Sequence, residues 1–144
     1  MLNIRTSTTR KYISQYDDAV DRKKLGKSTT WQRFVEGDVE IDKIPIRAGC
    51  KPSIFTLRRL SRAQFLHVLA RPSVLEQSQE AVAYGLVGWE NLGNGSTVRE
   101  TEDTDLGPRM TEKCLDEIFY PELIKELGPV VIGMSMLGPT RERG

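Results

Sequence analysis

From Glu80 to Glu90 the chain reads EAVAYGLVGWE, with charge only at its two ends. A stretch this apolar has to leave water, so the remaining elements must be arranged to cover it. Read with the polar turn before it, the spacing predicts a helix over 75–89. Ala81, Val82, Ala83, Tyr84, Leu86, Val87 and Trp89 leave that helix almost no polar face. It is expected to be the central, most buried element.

The segment before it, KPSIFTLRRLSRAQFLHVLARP at 51–72, supplies a surface to dock there. Ile54, Thr56 and Arg58 oppose Phe55, Leu57 and Arg59, the period-two signature of a strand with one buried face. Ser61 followed by Gln64 has the capping-box spacing, and Pro72 lies just past the end of the helix it opens. Phe55, Leu57, Phe65, Leu66 and Leu69 are expected to form the strand-to-helix seam against the 75–89 helix. VEIDKIPIR at 39–47 also alternates, with Pro45 restricting it to an edge, so a small β-ribbon is expected over 39–60.

NLGNGSTVRETEDTDLGP at 91–108 combines an Asn-Gly turn at 94–95 with an acidic run, and reads as an exposed loop or short hairpin. Three short helices should follow: one capped by Thr111, one from Pro121 ended by Gly128, and one from Pro129. The first 38 residues are polar and weakly patterned, and are expected to form an extended N-terminal arm. Within the arm Tyr12, Tyr16, Trp31 and Phe34 are apolar points that need a partner surface. The expected fold is α+β, mainly α: about five short helices around the central helix, the ribbon, and the arm. Residues 39–139 form the single globular domain and 140–144 a polar tail.

Composition narrows the function. Twenty-one Lys and Arg against twenty Asp and Glu leave a formal net charge of +1, so no global field draws the chain to nucleic acid or an anionic membrane. Any charged interaction must be local. Cys50 and Cys114 are far apart and have no second thiol or histidine nearby, which argues against a zinc site or a disulfide framework. The N-terminal residues are not expected to act as a secretory signal or anchor, since no apolar run follows their basic residues.

Motifs suggesting chemistry have simpler readings. GKS at 26–28 lacks the earlier glycine of a phosphate-binding loop, with Asp21 in its place, so a solvated helix cap is expected. His67, the only histidine, has no nucleophile placed beside it by sequence and reads as a helix-face residue. Glu100, Glu102, Asp103 and Asp105 lack the order of a calcium loop. No catalytic residue, metal site, cofactor or small-molecule substrate is expected. The basic residues Lys51, Arg58, Arg59, Arg62 and Arg71 are more informative. Arg58, Arg59 and Arg62 are placed to pair with carboxylates across a protein interface, where guanidinium geometry gives register. Asp116, Glu117, Glu122 and Glu126 are candidate acids, within the chain or between copies.

KPSIFTLRRLSRAQF, EAVAYGLVGWENL and LDEIFYPELIKELGPVVIGMSMLGP, in that order, resemble segments of small structural and assembly proteins of tailed bacteriophages. The resemblance covers roughly residues 36–139, most of one domain. It implies a non-enzymatic virion component in capsid, neck or tail, present in multiple copies among other phage structural proteins and made in the host cytoplasm. A tail-assembly chaperone absent from the virion is the first alternative. A small nucleic-acid-binding regulator using Arg58, Arg59 and Arg62 is the second.

Overall fold

The computed structural model describes residues 9–92, 98–118 and 121–136. In chain order these form β1 (Thr9–Ile13), α1 (Arg22–Leu25), α2 (Thr30–Glu36), a 3-10 turn (Ile41–Lys43), β2 (Ile54–Arg58), α3 (Arg62–Leu69), α4 (Val74–Gly85) and β3 (Leu86–Glu90). They continue with β4 (Thr101–Thr104), β5 (Gly107–Met110), α5 (Glu112–Ile118) and α6 (Pro121–Met136). β1, β2 and β3 make an antiparallel sheet with β2 in the middle, and β4 with β5 makes a separate hairpin.

Local chemistry explains the element boundaries. Ser61 Oγ accepts from the Gln64 amide while Gln64 Oε1 accepts from the Ser61 amide, so α3 opens on the capping box. Ser73 caps α4 in the same position by accepting from the Glu76 amide. Asp21 caps the single turn of α1. Gly37 ends α2 in the left-handed conformation, where a side chain would strain the backbone.

The core runs between the sheet and α4 with α6. Tyr12, Ile13, Phe55, Leu57 and Leu86 come from the strands, and Val82, Leu127 and Val131 from the helices. The two helices approach closely because Gly128 faces Ser78: a Cβ at Gly128 would lie 2.6 Å from Ser78 Cα. Gly85 faces Val131 in the same way, at 2.5 Å from Cγ1. Small residues thus set the spacing between the helices.

The fold differs from the expected one in four places. The helix expected over 75–89 stops at Gly85, and Leu86–Glu90 is strand β3, so a central apolar helix wrapped by short ones does not exist. The run is buried by two element types. Leu86 already has extended backbone, φ −87° and ψ 106°, and Trp89 pairs with Phe55 across the sheet. β-branched and aromatic residues after a tightly packed glycine are better satisfied by cross-strand pairing than by a helix face.

The ribbon over 39–60 is also replaced. β2 exists, but its partners are β1 and β3; residues 41–43 form the 3-10 turn, and Ile46 makes only an isolated bridge with Val20. The extended N-terminal arm is, from Thr9 onward, an integral part of the fold. β1 pairs with β2 over its whole length, Thr9 opposite Arg58 and Ile13 opposite Ile54. The two helices expected from Pro121 and Pro129 are one, α6, which continues through Gly128 and Pro129. Among the described residues there are therefore six helices and five strands in two antiparallel sheets. The turn expected at 94–95 lies outside the described residues; the hairpin that is seen turns at Asp105–Leu106.

Candidate protein interface

The three arginines expected to share one face have different environments. Arg58, at the end of β2, donates from Nη2 to the Tyr84 carbonyl at 3.1 Å and to Gln64 Oε1 at 3.2 Å. It holds the α4-to-β3 junction from inside the chain. Arg99 reaches the same junction, donating to the Leu86 and Ala83 carbonyls at 2.6 and 3.1 Å. Burial, and then the nearby Arg58, hold the Arg99 guanidinium below its ordinary value. Two cations thus satisfy the carbonyls that α4 leaves open where it becomes a strand. Arg59 is half-buried, and of the three only Arg62 is exposed.

The aromatic points of the N-terminal segment also separate. Tyr12 and Phe34 are buried and stacked, with ring centroids 5.2 Å apart and planes 14° from parallel. Trp31 is partly buried and packs on both, at 6.4 and 5.3 Å. These three rings are committed to the chain's own core, and Tyr16 alone is exposed.

Two carboxylates have roles that sequence reading did not assign. Glu126, on α6, accepts from Tyr12 Oη at 2.9 Å, Ser14 Oγ at 2.6 Å and the Gln15 amide at 2.7 Å. Burial, and then the neighbouring Glu126 charge, push the Tyr12 phenol well above the ordinary tyrosine range. Tyr12 is therefore a fixed donor. Glu80, on α4, takes a two-pronged contact from Arg109 Nε and Nη2 on β5, and His67 Nε2 of α3 lies 2.8 Å from its Oε1. Burial disfavours its charge, yet hydrogen bonds from Arg109 and His67 hold its carboxyl below the ordinary value. Both Glu80 oxygens face hydrogen-bond partners, so the residue is placed as a tie between elements.

The surface that stands out is the corner between α3 and α4. Leu66, Leu69, Val74 and Leu75 are 53%, 45%, 75% and 40% exposed, within ten positions of one another. Leu66 and Leu69 were expected in the seam; they point outward instead. α3 buries Gln64 and Val68, one turn apart, and this sets its rotation. Gln64 is held there by the capping box, by Arg58 and by its bond to the Leu106 carbonyl at 2.7 Å. The opposite face carries Arg62, Ala63, Leu66, Leu69 and Ala70, all exposed. The capping box puts Gln64 at the third helical position, and the long-range bond to Leu106 helps bury it and turn Leu66 away.

Among the described residues no cluster of His, Cys, Asp and Glu fits a metal ion, and no helix is long and apolar enough to cross a membrane. Cys50 and Cys114 are both free thiols. No family model, curated protein or solved structure matches the chain.

Proposed function

We propose that the chain is a non-enzymatic structural protein of a tailed bacteriophage particle, working through protein–protein contacts. The observation that carries this is the α3–α4 corner. Four large apolar side chains stand exposed there, flanked by Arg62 and Arg71, and that arrangement of apolar centre with charged rim is how protein interfaces are built. The resemblance of the 51–65, 80–92 and 115–139 segments to phage structural and assembly proteins supplies the setting, in capsid, neck or tail. Mass spectrometry of purified particles should find the chain in fixed stoichiometry. Repeated absence from particles would remove this reading.

The same corner favours one second reading, a tail-assembly chaperone that covers an aggregation-prone tail protein and leaves before maturation. Such a protein would co-purify with its client from infected cells and be missing from virions. The nucleic-acid regulator loses support, because Arg58 is tethered to the Tyr84 carbonyl and Gln64 and so is not offered to a phosphate.

A further inference from the structure

We infer that the turn carrying Tyr16, together with Arg22 and Arg47, is a docking surface for single-stranded nucleic acid. It is built from other elements than the α3–α4 corner and does not depend on the reading of that corner. Tyr16 is 56% exposed, and its ring stacks on no other ring among the described residues. The backbone beneath it is fixed from both sides. Ser14 Oγ accepts from the Tyr16 amide at 3.1 Å and in turn donates to Glu126. Beyond the turn, Val20 bridges Ile46, with the Asp21 amide on the Pro45 carbonyl and the Arg47 amide on the Ala19 carbonyl, both at 2.8 Å. An exposed ring on held backbone is what a stacking platform requires.

The same stretch anchors two guanidiniums, one on either side of Tyr16 in the chain. Arg22 Nη2 donates to the Gln15 carbonyl, one residue before it, and Arg47 Nη1 donates to the Asp18 carbonyl at 3.2 Å, two residues after it. Both arginines are exposed, and one N–H of each is engaged this way, so most of each fork is left for a phosphate. Arg58 differs, being half-buried and held by two internal acceptors. Lys23 and Lys24 are exposed on α1, whose Leu25 packs against the core. None of these four exposed cations has an ion pair among the described residues.

The acids of the turn are mostly engaged with backbone. Asp17 accepts from the Ala19 and Ser53 amides at 2.9 and 2.8 Å, and Asp21 from the Lys24 amide at 3.1 Å. Of the three, only Asp18 is exposed. A local cationic surface therefore exists on a chain whose net charge is only +1. Its geometry selects the partner. An unpaired base supplies a flat face for the tyrosine, and its flanking phosphates supply the anions for the arginines. An acidic polypeptide or a duplex would use the cations alone.

The experiment is a fluorescence-anisotropy titration of labelled oligothymidylate with the full chain and with Tyr16→Ala, Tyr16→Phe, and Arg22→Gln combined with Arg47→Gln. All three positions are exposed, so the fold should persist, and circular dichroism checks it. The unaltered chain should bind with an affinity that falls as salt rises. Tyr16→Ala should weaken binding about tenfold with the salt slope unchanged, while Tyr16→Phe keeps the stacking face and the affinity. The double arginine variant should lower the slope by about 1.4, the value for two phosphate contacts on a single strand. If that variant loses its secondary structure, the Tyr16 pair decides alone.

Absence of salt-dependent binding to the oligonucleotide overturns the inference. Full affinity in Tyr16→Ala overturns it too. Equal affinity for a duplex, for polyglutamate or for phosphatidylserine vesicles does the same, because each would show the cations acting without the ring.

Discussion

Glu126 and Glu80 are both half-buried carboxylates that tie distant parts of the chain together, and they do it with opposite chemistry. Glu126 joins α6 to the end of β1 using only neutral donors, a phenol, a hydroxyl and a backbone amide. Glu80 joins α4 to β5 and α3 through a guanidinium fork and an imidazole. Beside Glu126 lies the packed trio Tyr12, Trp31 and Phe34, so that end is held mainly by apolar burial and the carboxylate orients it. The hairpin beside Glu80 is exposed along β4 and reaches the core only through Met110 and Leu106, so polar contacts carry a larger share of its attachment. The N-terminal end should therefore respond to lost volume, and the hairpin end to lost charge.

The largest effect is expected at the apolar end. Phe34→Ala removes a fully buried ring that stacks on Tyr12 and tilts against Trp31, and should cost about 3–5 kcal/mol in urea unfolding. A loss under about 1 kcal/mol would mean that burial does not dominate there. Gly128→Ala comes next and asks whether the two ends are coupled, since α6 carries Glu126 and α4 carries Glu80. The new methyl would strike Ser78 backbone, which cannot rotate away, so the helices must separate. A loss of about 1–3 kcal/mol is expected. Amide hydrogen exchange should then speed up in both β1 and the hairpin.

Glu126→Ala is the direct counterpart at the neutral node. It leaves the buried Tyr12 hydroxyl and Ser14 hydroxyl without their acceptor, for a loss of about 1–3 kcal/mol. Tyr12→Phe removes the donor along with the bond and should be milder. Exchange of the β1 amides should rise in both variants. Equal protection of β1 in Glu126→Ala and the unaltered chain would show that sheet pairing alone holds the strand.

These contrasts mark what could be read from the residues. The α3 capping box was legible because Ser61 and Gln64 act over three positions, and the β2 alternation was legible for the same local reason. The end of α4 was not. Residues 81–89 satisfy a buried helix and a buried strand equally, and the decision at Gly85 came from Val131 and Arg58, more than twenty residues away. The N-terminal segment misled through composition. Its few apolar residues, Tyr12, Ile13 and Phe34, are enough to anchor it, because β2 offered a free edge and Glu126 a waiting acceptor. Of the three candidate interface arginines, Arg62 is the exposed one. The outward turn of Leu66 and Leu69 followed from Gln64, whose tie to Leu106 no local pattern reveals.

The smallest effect is expected at Glu80, and it should be visible chiefly as a change with pH. Arg109 on β5 and His67 on α3 face the carboxylate, and Glu102 and Glu112 in turn share Arg109. Because the folded carboxyl titrates below its ordinary value of 4.5, the folded state binds a proton there less readily than the unfolded chain. Its contribution is thus fully present above pH 4.5 and lost as the pH falls through the lowered folded value. Glu80→Gln keeps the shape and the hydrogen-bonding oxygen but removes that titration. At neutral pH the substitution should cost about 1 kcal/mol, the scale of one exchanged hydrogen bond. Thermal unfolding of the two chains, compared from pH 7 downward, should converge below 4.5. A gap for Glu80→Gln that stayed constant into acid would mean that the hairpin end is held by shape, as the N-terminal end is.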